Sequence, residues 1–262
     1  SLTRMVRPFM EETNRKVIAV GGVIGVANNC QVKDGTVTEY RVPETLLGRF
    51  QVIEYFRAFL MGRMAWTRIN GLMLISGAFG FFNKELVLKV GGYFPKTVGE
   101  DMELVVRMRR YMEETGQKYK VGFVPDPLCW TEVPESENIL SKQRNRWMRG
   151  TIETLQLHKK IKLNPKYGVL GLVSYPYWSI FEKAGPIIEM AGFLYTALMI
   201  FKGDISALYF IGLFVLMYVF SVMISSFSIL YEGVAYNNYK DKADLNKLMR
   251  TVLLEPFLIH PK

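Results

Sequence analysis

A run of 27 residues, 205–231, carries no charged side chain, and that feature limits most sharply what the chain can fold into. A helix of about 20 apolar residues crosses the hydrocarbon core of a bilayer. Core helices of water-soluble domains are shorter and keep a polar face. The run therefore predicts a transmembrane helix. Residues 184–201 hold one acid, Glu189, in 18 residues and predict a second. Only Lys202-Gly203-Asp204 separates the two, which predicts a tight helical hairpin; a buried helical pair in a soluble domain is the alternative. Lys240, Lys242, Lys247 and Arg250 follow the second span, whereas Lys202 in the short loop is offset by Asp204. Lys and Arg accumulate on the cytoplasmic side of spans. Residues 1–183 and 232–262 are thus expected in the cytoplasm and the Lys202 loop outside, in a multi-pass protein of the inner or plasma membrane.

The charge is unevenly divided. Residues 1–165 carry 25 Lys+Arg against 17 Asp+Glu, and residues 166–262 carry 8 against 7, within a net charge of +9. Anionic partners follow: phosphates, nucleotides or an acidic membrane face. With half its residues hydrophobic, the chain is not disordered. Cys30 and Cys129 are the only cysteines, and His158 and His260 the only histidines. That excludes a disulfide scaffold, a Cys-rich zinc site and a His-based metal cage or protease relay.

Before the spans, strands and helices alternate. Residues 2–13 have helical spacing, and 17–27 read as a buried strand with Gly21-Gly22 at a close backbone approach. Asp34-Gly35 is a turn. Residues 46–69 are helical, with Phe50, Ile53, Phe56, Leu60 and Met64 on one stripe. Then come a short buried strand at 72–75, a helix at 84–90 ended by Gly91-Gly92, a helix at 101–114, a strand at 119–124 and a basic helix from Ser136 to Leu163. This order predicts an α/β layered domain.

Four places could carry chemistry. Glu100 and Asp101 follow Gly99 and open a helix, where a carboxylate serves either as a general base for a hydroxyl nucleophile or as a helix cap. Gln143-Arg144-Asn145-Arg146-Trp147 offers arginines for a pyrophosphate, an indole face for a sugar ring and an amide for a hydroxyl or phosphate. The same helix could instead rest on an anionic membrane face, since Lys159, Lys160 and Lys162 follow. Ser76-Gly77-Ala78-Phe79-Gly80 lets a ligand approach the backbone or simply packs as a tight turn. Thr131-Glu132-Val133-Pro134 places a carboxylate in a loop, for substrate or for capping.

In order and in text these motifs resemble the membrane-embedded, processive family 2 glycosyltransferases: the cellulose, poly-N-acetylglucosamine and hyaluronan synthases. Gly99-Glu100-Asp101 is similar to their Thr/Gly-Glu-Asp motif, and Gln143-Arg144-Asn145-Arg146-Trp147 to their Gln-x-x-Arg-Trp motif. Ser76-Gly77-Ala78, Val90-Gly91-Gly92-Tyr93 and Cys129-Trp130-Thr131-Glu132-Val133-Pro134 also look like the family. The resemblance implies that Asp101, beside Glu100, deprotonates the acceptor. It implies that Gln143 and Arg146 hold the nucleotide diphosphate and that Trp147, Ser76, Gly77, Thr131 and Glu132 line the acceptor side. An inverting transfer is implied, from a UDP-sugar to a growing polysaccharide at the cytoplasmic membrane face. A non-processive enzyme making a glycolipid, or an inert membrane scaffold, are the alternatives. The expected partners are a UDP-sugar, a glycan or lipid acceptor and membrane lipid, with no nucleic acid.

The family's Asp-x-Asp metal motif does not occur. The resemblance places its Mg²⁺ or Mn²⁺ ligands upstream of Ser1, in a first half of the domain that the chain, read as a piece of a longer protein, is expected to lack. Residues 1–165 are then the C-terminal, acceptor-side half of a GT-A-type domain, 166–183 an interfacial helix, 184–231 the transmembrane hairpin (184–201 and 205–231) and 232–262 a cytoplasmic amphipathic segment.

Overall fold

The β-branched and glycine-rich stretch after Arg15 forms a long central strand, around which helices are laid. The computed structural model describes residues 2–11, 14–204 and 206–258, with the backbone alone at Pro127, Leu128 and Ala207. Glu12 and Thr13 of the expected first helix, Ile205 of the second span, and 259–262 of the last segment lie outside the described residues. In chain order the elements are α1 (Leu2–Met10), β1 (Lys16–Val26), β2 (Gln31–Lys33), β3 (Thr36–Glu39), α2 (Leu46–Tyr55), α3 (Met64–Arg68), β4 (Gly80–Phe82), α4 (Lys84–Lys89), α5 (Glu100–Glu114), β5 (Tyr119–Thr131), α6 (Glu137–Leu157), α7 (Tyr175–Tyr177), α8 (Gly185–Lys202), α9 (Ala207–Ala235) and α10 (Lys242–Leu258). Wide π-helical turns join α2 to α3 over Phe56–Arg63 and flank α7 over Leu170–Ser174 and Trp178–Lys183. The chain is thus mixed α/β, and packing divides it into two units.

The first unit holds the residues up to Gly25, Phe59–Thr131 and Ser136–Lys183. Its sheet has the order β4-β1-β5, with β4 antiparallel to β1 and Ala19 opposite Phe82. β1 is buried over most of its length, as expected of a near-continuous apolar run covered on both faces. Ile18 and Ala19 pack with Leu72, Ile75, Leu104, Val105, Met108 and Val121. A second cluster joins Met102 and Val106 of α5 to Leu155 of α6 and to Leu170 and Tyr175.

Three expectations are corrected here. Leu72, Met73 and Ile75 are buried, but 72–75 is not a strand. The buried Arg109 guanidinium takes the carbonyls of Asn70 and Leu72, so these are not offered to a neighbouring strand. β5 in turn runs to Thr131, past the expected end at Val124. The segment 166–183 runs from a 3-10 turn over Pro165–Tyr167 into helix from Gly168, and it is not only a surface element. Leu170, Ser174 and Tyr175 are buried, while Leu172, Val173, Ile180 and Phe181 are exposed.

The second unit holds Val26–Ala58, Glu132–Glu135 and the chain from Ala184 onward. Asp34 and Gly35 have φ of 51° and 71°, the left-handed pair that a two-residue hairpin turn requires, and they join β2 to β3 with Lys33 opposite Thr36. Among the described residues α8 and α9 are the two helices long and apolar enough to cross a membrane, at roughly 27 and 44 Å by helix rise. α9 packs on α10 and α2, whereas α8 has no buried residue. The two apolar helices therefore do not bury one another as a closely packed hairpin would. Arg57 grips both carboxylate oxygens of Glu255 at 2.5 and 2.7 Å and Ser225 Oγ at 2.5 Å, which ties α9 and α10 to the turn after α2.

Candidate functional site

The first unit brings two of the sequence motifs together at one place, the start of α5. That helix begins at Glu100, one residue before the expected Asp101, and Gly99 is its N-cap with no side-chain cap bond. Asp101 is therefore not the N-cap. Its Oδ2 accepts from the backbone N–H of Gly77 at 2.9 Å, and its Oδ1 from that of Met102 at 2.8 Å. The bond to Gly77 crosses 24 positions of chain, so it aims the carboxylate at the Ser76–Phe79 turn. That turn is closed by the Phe79 N–H donating to the Ser76 carbonyl at 3.1 Å. A Cβ at Gly77 would sit 3.5 Å from Asp101 Oδ2, in ordinary contact. Gly77 and Glu100 are exposed and Asp101 is half-buried.

α6 supplies the second motif. Residues 143, 146/147, 150 and 153/154 follow one another at three- and four-residue steps, so they lie along one side of the helix. Gly150 in that stripe meets Gly99 backbone to backbone: a Cβ on Gly150 would lie 2.7 Å from Gly99 Cα. One turn further on, Glu153 accepts from Thr97 Oγ1 at 2.8 Å and from the Val98 N–H at 3.0 Å. Thr97 Oγ1 also accepts from the Gly99 N–H at 3.1 Å. Arg149 donates to the other Glu153 oxygen at 2.7 Å. The bonds from Arg149, Thr97 and Val98 hold the Glu153 carboxyl below its ordinary value.

Arg146 and Trp147 of the motif stay outward. Arg146 is exposed and has no hydrogen bond or ion pair among the described residues. Trp147 is 41% exposed, with the Arg144 guanidinium 5.1 Å from its ring centroid. Gln143 Oε1 is buried without a partner among the described residues. Arg149, by contrast, is committed to Glu153. Thr131 is the last residue of β5 in the first unit, and Glu132 is an exposed residue of the second. In that unit the adjoining Val133 is fixed by Asn28, whose amide donates to its carbonyl at 3.0 Å and accepts from its N–H at 2.7 Å.

Behind this surface, α5 and α6 share a buried polar group. Glu103 Oε1 lies 3.0 Å from His158 Nε2, its Oε2 accepts from Arg107 at 2.8 Å, and His158 Nδ1 lies 3.1 Å from Arg110. Burial pushes the Glu103 carboxyl up, but His158 and Arg107 outweigh it and hold the group below its ordinary value. Sequence reading missed Gly150, Glu153, Thr97 and Glu103. The first two stand in the stripe with Arg146, and that spacing was the available signal. Among the described residues no group of three His, Cys, Asp or Glu side chains is placed to hold a metal ion. The described residues therefore do not by themselves make a site for a divalent cation.

An α/β layer with these two motifs set against each other, followed by apolar helices, defines the class. The family model for glycosyl transferase family group 2 matches residues 24–228, and the chain belongs to that family. It is similar to the poly-beta-1,6-N-acetyl-D-glucosamine synthase of Staphylococcus aureus, 33% identical over 128 residues. The synthase of the same name from Staphylococcus epidermidis is 30% identical over 126 residues. In both cases the match covers 47% of this chain and 29% of the relative, so it spans under a third of the length of these curated relatives.

Proposed function

We propose that this chain forms the acceptor and diphosphate side of a membrane enzyme. The enzyme transfers a sugar from a UDP-sugar to a growing polysaccharide, with inversion, at the cytoplasmic face. What supports the reading above all is the seating of Asp101 and the Arg146 helix against each other through Gly99 and Gly150. A hydroxyl of the acceptor approaches Asp101, whose orientation is held by the Gly77 N–H. As the acceptor oxygen attacks the anomeric carbon, Asp101 takes its proton, and the bond from that carbon to the diphosphate breaks. Charge develops on the departing diphosphate, and the unpaired Arg146 guanidinium is available to it as a two-pronged donor. The Gln143 amide can present N–H to a phosphate. Arg144 takes one face of Trp147, and the other is left for a sugar of the acceptor, with Ser76, Gly77 and Thr131 of the same unit along its course.

The membrane part of the reading rests on α8 and α9. Their apolar side chains are exposed over most of their length, Phe201 to 91%, and hydrocarbon is the solvent that such a surface fits. The exposed Leu172, Val173, Ile180 and Phe181 suit an interfacial position for the segment before them. Lys240, Lys242 and Lys247 after α9 favour the cytoplasmic side for that end.

The test is a transfer assay with the full natural chain in detergent, against a panel of UDP-sugars with UDP-N-acetylglucosamine first. A ladder of chain lengths is expected. A single glycolipid product would replace polymer synthesis by a non-processive transfer. Absence of sugar-nucleotide turnover with every donor, alongside binding to anionic vesicles, would leave only a membrane scaffold.

A further inference from the structure

We propose that Gly150 on α6 and Gly99 at the entry of α5, with Glu153 as their clamp, are positioning residues. They set the distance between Asp101 and the pair Arg146 and Trp147. The inference rests on the roles given above to those three residues. A proton acceptor on one helix and a diphosphate ligand on another are useful only at a fixed separation, since misplacement by about 1 Å can cost roughly 100-fold in rate.

Three observations carry it. First, the approach is between backbones. A Cβ on Gly99 would lie 2.7 Å from Gly150 Cα, 2.8 Å from its carbonyl carbon and 2.9 Å from its oxygen; a Cβ on Gly150 would lie 2.7 Å from Gly99 Cα and 2.9 Å from its nitrogen. No side chain is there to rotate aside, so a methyl group has to move the helix or the loop by roughly 0.7 Å to reach an ordinary contact. Second, the torsions do not require glycine. Gly99 has φ −109°, which any residue adopts, and Gly150 lies in mid-helix, where glycine is less favourable than alanine. Closeness is what glycine supplies here. Third, Glu153 fixes the same loop independently, through the Thr97 hydroxyl and the Val98 N–H. The seat lies two residues from Asp101 along the loop and one helical turn from Arg146 along α6, so it sets both from between them.

The experiment measures kcat and donor KM for UDP-sugar transfer by the full natural chain in detergent, each rate normalised to folded protein. In Gly150→Ala, kcat should fall at least about tenfold while donor KM stays within about threefold, because Arg146 and Gln143 remain together on α6. Gly150→Val should fall further. Combining Gly150→Ala with Gly99→Ala should cost less than the product of the two single losses, since the first methyl already opens the seat. Leu155→Ala, in the apolar layer beneath, should lower the melting temperature and leave kcat unchanged. If the Gly150 variants do not fold, Glu153→Gln, which keeps size and shape, should still lower kcat with KM unchanged. Multiplicative losses, or equal kcat losses in Gly150→Ala and Leu155→Ala, would overturn the proposal, as would an unaltered kcat in Glu153→Gln. Asp101→Asn separates the two failures. If it is inactive while the Gly150 variants are not, only the seat is lost; if it is active, the functional reading itself has failed.

Discussion

Around α5 and α6 the first unit supplies two carboxylates with donors, Glu103 buried and Glu153 partly exposed, and leaves charge at the surface. Glu103 has His158 and Arg107, and Glu153 has Thr97, Val98 and Arg149. Glu100 and Arg146 remain outside without partners among the described residues. The second unit does the reverse. Arg57 is paired with Glu255, Arg41 with Asp241 and Lys247 with Glu44, and what α8 and α9 leave outside is apolar. Intramolecular pairing uses up the charges that only hold the fold. In the function proposed here the surface left over meets an anionic, hydroxyl-rich ligand in one unit and hydrocarbon in the other.

The largest effect should come from breaking the first half of that contrast. Asp101→Asn keeps an acceptor oxygen for the Gly77 N–H but cannot take a proton, so turnover should fall roughly 10²–10⁴-fold while UDP binding is retained. Equal turnover in variant and wild type would make Asp101 a strut for the turn and nothing more. The second half is broken by a charge in the apolar helix. Leu216→Lys in α9 should cost about 2.5–3.5 kcal/mol of membrane insertion, read as loss of protein from the carbonate-resistant membrane fraction. Undiminished retention would mean that this face of α9 does not meet lipid.

Arg146 sharpens the comparison, because the basic helix could serve either ligand. A lipid surface reads charge alone, so Arg146→Lys would be silent there. A diphosphate held by two parallel N–H groups is not reproduced by an ammonium, and losing one charge-assisted bond of about 1.5–3 kcal/mol should weaken UDP binding roughly 10- to 150-fold. Lys159→Gln, beyond the motif, should leave UDP binding unchanged. Equal effects of the two substitutions on UDP affinity would remove Arg146 from the site.

Periodicity and small-residue motifs were enough to read β1, α5, α6, the Asp34-Gly35 turn and the two apolar helices, because each depends on local pattern. The family was legible because Gly99-Glu100-Asp101 and Gln143-x-x-Arg146-Trp147 recur as text. Long-range bonds were not. Nothing near Leu72 announces that Arg109, 37 positions away, takes its carbonyl and prevents a strand. Gly150 reads as an ordinary helix glycine until Gly99 is seen against it. The short Lys202 loop suggested a hairpin, but a loop sets only the ends of two helices, and α9 finds its packing in α10 and α2.

The smallest effect tests whether the buried acids of the first unit are structural, as the contrast requires. Glu103 is 3% exposed and faces His158, which in turn faces Arg110, and Arg107 on its own helix. If Arg110 donates to His158 Nδ1, the imidazole carries its proton on Nε2 and donates to Glu103. The Glu103 carboxyl is held below the ordinary value of 4.5 despite its burial, so the folded state binds its proton less readily than the unfolded one. Its contribution to stability is complete above that value and is lost as the pH falls through the depressed folded pKa. Glu103→Gln should therefore lower stability by roughly 1 kcal/mol at pH 7, about 2–4 °C in melting temperature. Below pH 4.5 the gap from wild type should narrow as the wild-type carboxyl takes up its proton. Because Glu103 touches no ligand in this reading, donor KM and kcat per folded enzyme should be those of wild type at pH 7. A gap that widened towards acid, or a change in kcat at unaltered stability, would move Glu103 out of the scaffold and into the chemistry.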